Sequence, residues 1–219
     1  MCEDRQVTQY ERPAIDAPVF LDADGRVIDY GRRWSGSPPE ETYSVDTHPE
    51  RFAPLHTVAD ALIVFLWNTY DLALVEGSET ATDLLHPARD VLRSVRLQPN
   101  DPTSAALTIV YTAYPGIFLH AGALHDSHYP VCGCDACDTN WDGEADELER
   151  HVLAAATGQF RENIDMGPLP WVEHAFTYSD GRNAGRFSTR DLPVERVTAA
   201  QQLLGTVPEP WAAWPLRSA

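Results

Sequence analysis

The chain has 219 residues, of which 43% are hydrophobic and 22% are charged, a composition typical of a globular protein and not of a disordered chain. Its 33 acidic and 16 basic residues give a formal net charge of −17, which opposes a phosphate backbone and predicts no binding to nucleic acid. All sixteen basic residues are arginine, which excludes Schiff-base chemistry and a Walker-type phosphate loop, since both need a lysine amine.

The sequence carries no signal for a membrane or for secretion. Its longest strongly apolar run, residues 61–67, is far shorter than the ~20 residues that span a bilayer. No basic-then-apolar leader precedes Cys2, so we expect a cytoplasmic protein without membrane contact. Four cysteines in a large cytoplasmic chain do not indicate a disulfide framework, and Cys2, isolated from the other three, is given no role.

Residues 1–50 show little helical periodicity and are predicted to form an extended arm that packs on a single domain of residues 51–219. Within the arm, residues 19–21 and 26–30 can form a small hairpin around the string Asp-Ala-Asp-Gly at 22–25. That string superficially resembles a calcium loop, but the glycine and glutamate that an EF-hand needs further along are missing. A plain turn is therefore the better interpretation.

The remaining elements follow in chain order, beginning with a helix. Apolar residues at three- and four-residue spacing predict a helix over about 55–70, and strands follow near 72–75 and 91–97. Alternating residues predict strands at 107–114 and 117–121, which a Pro-Gly turn joins as antiparallel neighbours. Helices over about 141–160 and 193–204 flank a strand at 171–178. These elements predict an α+β fold: a single domain, an antiparallel sheet with about three helices and an extended N-terminal arm.

The unusual chemistry is concentrated in residues 120–137, where three of the four cysteines fall within six residues. Cys134 and Cys137 have the two-residue spacing of a metal knuckle, and Cys132 adds a third sulfur across one glycine. Neighbouring aspartates raise thiol pKa values by like-charge repulsion, and a divalent cation would overcome that effect. Zinc binding is the favoured interpretation, while packed reduced cysteines and thiol–disulfide chemistry stay open as alternatives.

Three sulfurs leave one coordination position for a histidine, an acidic side chain or water, and His125 is the preferred ligand. His128 stands only four residues before Cys132, with Pro130 stiffening the path, whereas His125 has more slack to fold back. His120, on a predicted strand, is interpreted as a hydrogen-bonded structural residue. The other five histidines are scattered and receive no role. The chain lacks a nucleophile elbow and a Gly-rich nucleotide loop, so its catalytic residues are unknown and whether it is an enzyme stays open.

Several strings resemble those of a family of uncharacterised actinobacterial proteins. They are residues 13–18, 43–46, 124–126, 130–138 and 211–215, and the resemblance covers most of the chain. That family carries only a domain-of-unknown-function label, so the resemblance implies no activity and no catalytic residue. The all-arginine composition agrees with a GC-rich origin of this kind.

Two functions follow as competing expectations. The first is a non-catalytic binding or regulatory module, in which a structural zinc ion stabilises the cysteine loop and the acidic surface meets a protein partner. The second is a metal-dependent hydrolase, in which the ion keeps an open position for water and Asp126 acts as general base. The absence of a second catalytic motif favours the module.

Overall fold

Two antiparallel sheets and three α-helices form the fold in a computed structural model that describes residues 9–165, 167 and 170–218. Cys2 lies outside the described residues. The helices are α1 (Pro54–Thr69), α2 (Trp141–Ala156) and α3 (Val194–Leu204). The strands are β1 (Leu72–Glu76), β2 (Val91–Pro99), β3 (Leu107–Thr112), β4 (Ile117–Ala121), β5 (His125–Tyr129), β6 (Phe160–Asp165), β7 (Trp171–Thr177) and β8 (Arg182–Ser188). Among the described residues, no helix has both the length and the apolar character needed to cross a bilayer.

The first five strands form one sheet in which every neighbour in sequence is also a neighbour in space. The predicted Pro-Gly reversal is confirmed, because β3 and β4 pair antiparallel, with Tyr111 opposite Ile117 and Thr108 opposite His120. All six residues of β3 are buried, as the central strand of a five-stranded sheet covered on both faces requires. This sheet confirms the predicted antiparallel arrangement.

Helix α1 presents the apolar stripe that its periodicity predicted. Leu55, Val58, Leu62 and Leu66 are fully buried, at the three- and four-residue spacing of one helix face. They join the main core together with residues of β2, β3, β4 and α2. At roughly 1.5–3 kcal/mol for each large apolar side chain removed from water, this stripe alone anchors the helix to the sheet.

The second sheet, β6–β7–β8, differs from the expectation of a single sheet. The predicted helix over 141–160 ends at Ala156, because Gly158 takes a left-handed φ of +73° and Phe160 already begins β6. Strand β8 was not predicted, since most of its residues are polar and exposed. Strand β5 was also missed, because its sequence His-Asp-Ser-His-Tyr lacks the apolar alternation of a half-buried strand.

The described part of the arm is irregular and held by side-chain contacts. It contains an isolated bridge between Leu21 and Val27, where the Asp22 carboxylate accepts the backbone N–H groups of Asp24 and Arg26, which confirms a plain turn. Near its start, Arg12 pairs with three carboxylates on the exposed side of α2, those of residues 142, 146 and 149. The division into an arm of 1–50 and a domain of 51–219 stays a prediction.

Candidate metal centre

The three clustered cysteines lie in the loop that joins β5 to α2. Their sulfur atoms all lie within 4.8 Å of one another, and those of Cys132 and Cys134 are 3.3 Å apart. Cys132 and Cys134 are half-buried, whereas Cys137 is exposed. The two-residue spacing closes as a tight turn, in which the Cys137 N–H donates to the Cys134 carbonyl at 3.1 Å. The three sulfurs are therefore already arranged to contact a single ion.

Backbone N–H groups favour a thiolate at Cys134. The N–H of Cys137 has the largest effect, and with further help from the Ser44 N–H it lowers the pKa of Cys134 to about 7. Hydrogen bonding to Cys132 and Cys134 raises the pKa of Cys137 to about 12. A thiolate thus forms readily at Cys134 and makes a second one at Cys137 costly. A cation among the sulfurs would favour deprotonation of Cys137.

The N-terminal arm wraps the cysteine loop through backbone and side-chain hydrogen bonds. The Asp135 N–H donates to the Val45 carbonyl at 2.7 Å, and the Ala136 N–H to the Thr42 carbonyl at 3.0 Å. The buried Asp135 carboxylate accepts hydrogen bonds from the hydroxyl and from the backbone N–H of Thr47. The loop is therefore the surface on which residues 42–47 are fixed.

Arg33 of the arm and Arg51, which directly follows the arm, complete this attachment. Arg33 donates from Nε and from its backbone N–H to the buried Asp138 carboxylate, and its Nη2 donates to the Asp135 carbonyl. Arg51, which is only 3% exposed, donates to the Gly133 carbonyl. The sequence suggested that these aspartates act on the thiols by repulsion. The structure instead shows both carboxylates engaged with the arm, where arginine compensates their charge.

A cavity of about 490 Å³ opens beside the cysteines and is lined in part by Asp46, Tyr114, His128 and Cys132. His128 stacks on Phe118 and bonds through Nε2 to the Val131 carbonyl. Gly133 also faces this cavity, and a Cβ added there would lie 1.8 Å from the Tyr114 hydroxyl. Glycine at this position is thus needed for close packing, and not only for an easy turn.

The structure does not bring His125 to the cysteines. His125 is buried, bonds through Nε2 to Ser127, and packs against the rings of His151 and His174 instead. The sequence-based preference for His125 as fourth ligand therefore gains no support from the geometry. The alternation of β5 explains this placement, because successive side chains of a strand point to opposite faces.

His120 has the structural role that was expected of it. Its Nδ1 lies 2.7 Å from one oxygen of Asp126, whose other oxygen accepts the Leu85 N–H at 2.7 Å. Asp126 is thus held by two partners and does not line the cavity beside the cysteines. It is not placed to serve as general base for an ion bound there.

No role was expected for His151 and His174, which the fold brings to His125 from α2 and β7. Each followed a pattern that suggested a core position: His151 falls on the buried face of α2, and His174 shares a strand face with Val172 and Phe176. A histidine on a buried face was a usable signal, but nothing in the sequence showed that three such faces meet.

Comparison with known proteins gives a family without an assigned activity. The model of one family matches residues 16–218, and its description is "Family of unknown function (DUF6226)". No curated protein and no solved structure matches the chain. The match does not bear on the expected actinobacterial origin, which stays a prediction.

Proposed function

The chain belongs to the DUF6226 family, a family of unknown function, and we propose that it is a non-catalytic binding or regulatory module with a structural metal site. In this proposal Cys132, Cys134 and Cys137 hold one zinc-like ion. The observation that carries it is the convergence of three sulfurs within 4.8 Å of one another in a loop that the arm encloses.

The ion would act as a clip for the N-terminal arm. The cysteine loop exchanges hydrogen bonds with residues 42–47. Among them, the Ser44 N–H donates to the Cys134 sulfur itself. Hydrogen bonds of this kind hold a metal-bound thiolate in position. Since a structural zinc site adds its binding free energy to the folding free energy, the clip would stabilise both the loop and the arm.

The fourth coordination position would face the neighbouring cavity. Asp46 and His128 line that cavity together with Cys132, so either side chain, or a water molecule, is better placed there than His125. A closed shell with a protein ligand would suit a structural site, and an open position would suit a catalytic one.

The test is metal analysis of the full-length protein purified without a His tag, alongside Cys134→Ser. We expect stoichiometric zinc in the wild type, cobalt-substituted protein with thiolate charge-transfer absorption, and loss of that absorption in Cys134→Ser. The variant should also melt at a lower temperature, and a chelator should lower the melting temperature of the wild type in the same way. Cys2→Ser is the matched control and should retain both properties. A wild type without thiolate-bound metal that melts like Cys134→Ser would refute the proposal.

The second candidate is a metal-dependent hydrolase, which the cavity beside Cys132 favours. Asp126 is hydrogen-bonded to His120 and to the Leu85 N–H and does not line this cavity, so the carboxylate available as general base would be Asp46. Asp46→Asn separates the two candidates. If the ion is a structural clip, Asp46→Asn should either change the metal affinity or leave it unchanged. If the protein is a hydrolase, Asp46→Asn should lose activity toward generic ester or phosphoester probes while its metal content is retained.

A protein partner and a cytoplasmic location are part of the same proposal. The net charge of −17 supports a basic partner and opposes nucleic acid. The three neighbouring thiols are free, as a reducing compartment allows. Fluorescence anisotropy with duplex and single-stranded DNA at low salt tests the exclusion of nucleic acid, and micromolar binding that weakens steeply with salt would refute it.

A further inference from the structure

Three of the eight histidines meet in the interior at the junction of β5, α2 and β7. The ring of His125 lies 4.2 Å from that of His174 and 6.3 Å from that of His151, centre to centre. His125 and His151 are each 6% exposed, and both pack against Phe176. We call these three residues the histidine cluster. It lies apart from the cysteines and contributes nothing to the proposed structural clip.

Each ring of the histidine cluster has one buried nitrogen without a hydrogen-bond partner among the described residues. These atoms are Nδ1 of His125, Nε2 of His151 and Nδ1 of His174. The Tyr178 hydroxyl, whose ring lies 6.3 Å from that of His151, is a fourth atom of this kind. An unpaired buried polar group costs ~1–3 kcal/mol, so three unpaired nitrogens on neighbouring rings call for a common partner.

In His125 and His151, the two most buried rings, the other nitrogen already has a hydrogen-bond partner. His125 Nε2 lies 2.8 Å from the Ser127 hydroxyl, and His151 Nδ1 is hydrogen-bonded to the Tyr129 hydroxyl. A metal-binding histidine has this arrangement, in which one nitrogen is oriented by an outer partner and the other is free for the ion. Burial also lowers the pKa of all three rings, to about 4 for His151, which keeps them neutral as ligands must be.

We propose that His125, His151 and His174 form a second metal site, which takes a divalent transition-metal ion such as Zn²⁺, Co²⁺ or Ni²⁺. Metal–nitrogen bonds of about 2.0–2.1 Å in tetrahedral geometry place imidazole centres roughly 5 Å apart. The separations of 4.2 and 6.3 Å lie on either side of that value. Unlike the sulfurs, the ring nitrogens are not all within 4.8 Å of one another, so binding requires the rings to rotate.

The neighbouring charge is also consistent with a cation at this position. Glu162 is buried and stands directly opposite His174 in the pairing of β6 with β7, so a carboxylate lies on the same sheet face. On the other side, His174 faces Gly185 of β8, a strand whose residues are mostly exposed. A Cβ at position 185 would lie 2.9 Å from Cε1 and 3.1 Å from Nε2 of His174, so glycine there lets the half-buried ring pack closely against β8.

The test uses chelator-treated, full-length protein without a His tag, titrated with Co²⁺ and then Zn²⁺. We expect Cys134→Ser to retain one equivalent of Co²⁺ without thiolate charge-transfer absorption. His174→Gln should lose that equivalent, with affinity at least tenfold weaker, while keeping the thiolate-bound one. The exposed His86 provides the matched control, and His86→Gln should bind like the wild type. The two proposals therefore fail separately, since each depends on a different variant.

A measurement on the wild type covers the case in which a variant does not fold. Long-range ¹H–¹⁵N spectra report the nitrogens of each imidazole, and Zn²⁺ should shift the signals of all three rings of the histidine cluster together. If those signals do not move, or if folded Cys134→Ser binds no Co²⁺, the proposal is overturned.

Discussion

Replacing Glu162 with glutamine tests the electrostatics of the joint between the two sheets. Glu162 is 4% exposed, and its oxygens accept the backbone N–H groups of Leu124 at 2.7 Å and Ala123 at 2.9 Å. It therefore ties β6 to the turn between β4 and β5. Burial raises the pKa of Glu162 to about 7, although the two N–H groups and the nearby His120 lower it in part. The Trp211 indole faces the same carboxylate but does not reach hydrogen-bond geometry.

The size of the effect follows from the two pKa values. Because the pKa of Glu162 rises from 4.5 to about 7 on folding, the folded state binds the proton more tightly. The resulting stabilisation is complete below pH 4.5 and is lost as the pH rises through about 7. Since a tenfold change in proton affinity is worth about 1.4 kcal/mol, the loss across this window is about 3 kcal/mol. In Glu162→Gln the side chain is neutral throughout, so this loss disappears.

Urea unfolding of both proteins from about pH 4.5 to 8.5 measures the difference, in which the contributions of other titrating groups cancel. The amide cannot accept both N–H groups, so Glu162→Gln should be less stable than the wild type at low pH. It should then gain about 3 kcal/mol relative to the wild type as the pH rises. The exposed Glu41→Gln should show no such trend. A difference between Glu162→Gln and wild type that stays constant with pH would refute the reasoning and show that the two N–H bonds offset the effect of burial.

Three further substitutions address the cysteine loop, the contact of Arg51 with it, and α2. Gly133→Ala forces the Tyr114 ring aside, so it should lower the free energy of unfolding by roughly 1–3 kcal/mol in urea and weaken binding in a metal titration. Gly36→Ala, whose added Cβ meets open space, should change neither quantity. Arg51→Leu removes a buried guanidinium bonded to three backbone carbonyls and should cost about 3 kcal/mol in urea unfolding. Asn140→Ala removes the side-chain cap of α2, which accepts the Gly143 N–H, and should lower the free energy of unfolding by ~1 kcal/mol.

The sequence predicted the elements whose apolar residues repeat at one period. Helix α1 carries a continuous buried stripe, and β3 and β4 flank the Pro-Gly turn, so local pattern and tertiary position agree. The end of α2 was placed too late because Phe160 continues the helical spacing across Thr157 and Gly158. The helix cannot continue through Gly158, because this residue adopts a left-handed conformation. A Cβ at position 158 would lie 2.7 Å from the Ala213 backbone nitrogen. Glycine at this position therefore lets the C-terminal tail pack closely against the end of the helix.

The two candidate metal centres differ in how far they could be predicted. Cys132, Cys134 and Cys137 lie within six residues, so their approach depends only on one local turn. The histidine cluster depends on contacts between β5, α2 and β7, and such long-range contacts leave no trace in residue spacing. The preference for His125 as a ligand of the cysteines gains no support for this reason, since it rested on proximity in the chain and not on proximity in space.

Strand β5 connects the two candidate metal centres, and it was not predicted from the sequence. Its inward side chains are His125, Ser127 and Tyr129, and the loop of cysteines follows directly after it. An ordinary strand would bury apolar residues at these positions, which would have revealed the alternation. Buried polar side chains need partners, and here they find them in one another and in His151. The polar pattern that hid the strand is therefore the same feature that makes its buried face a candidate ligand site.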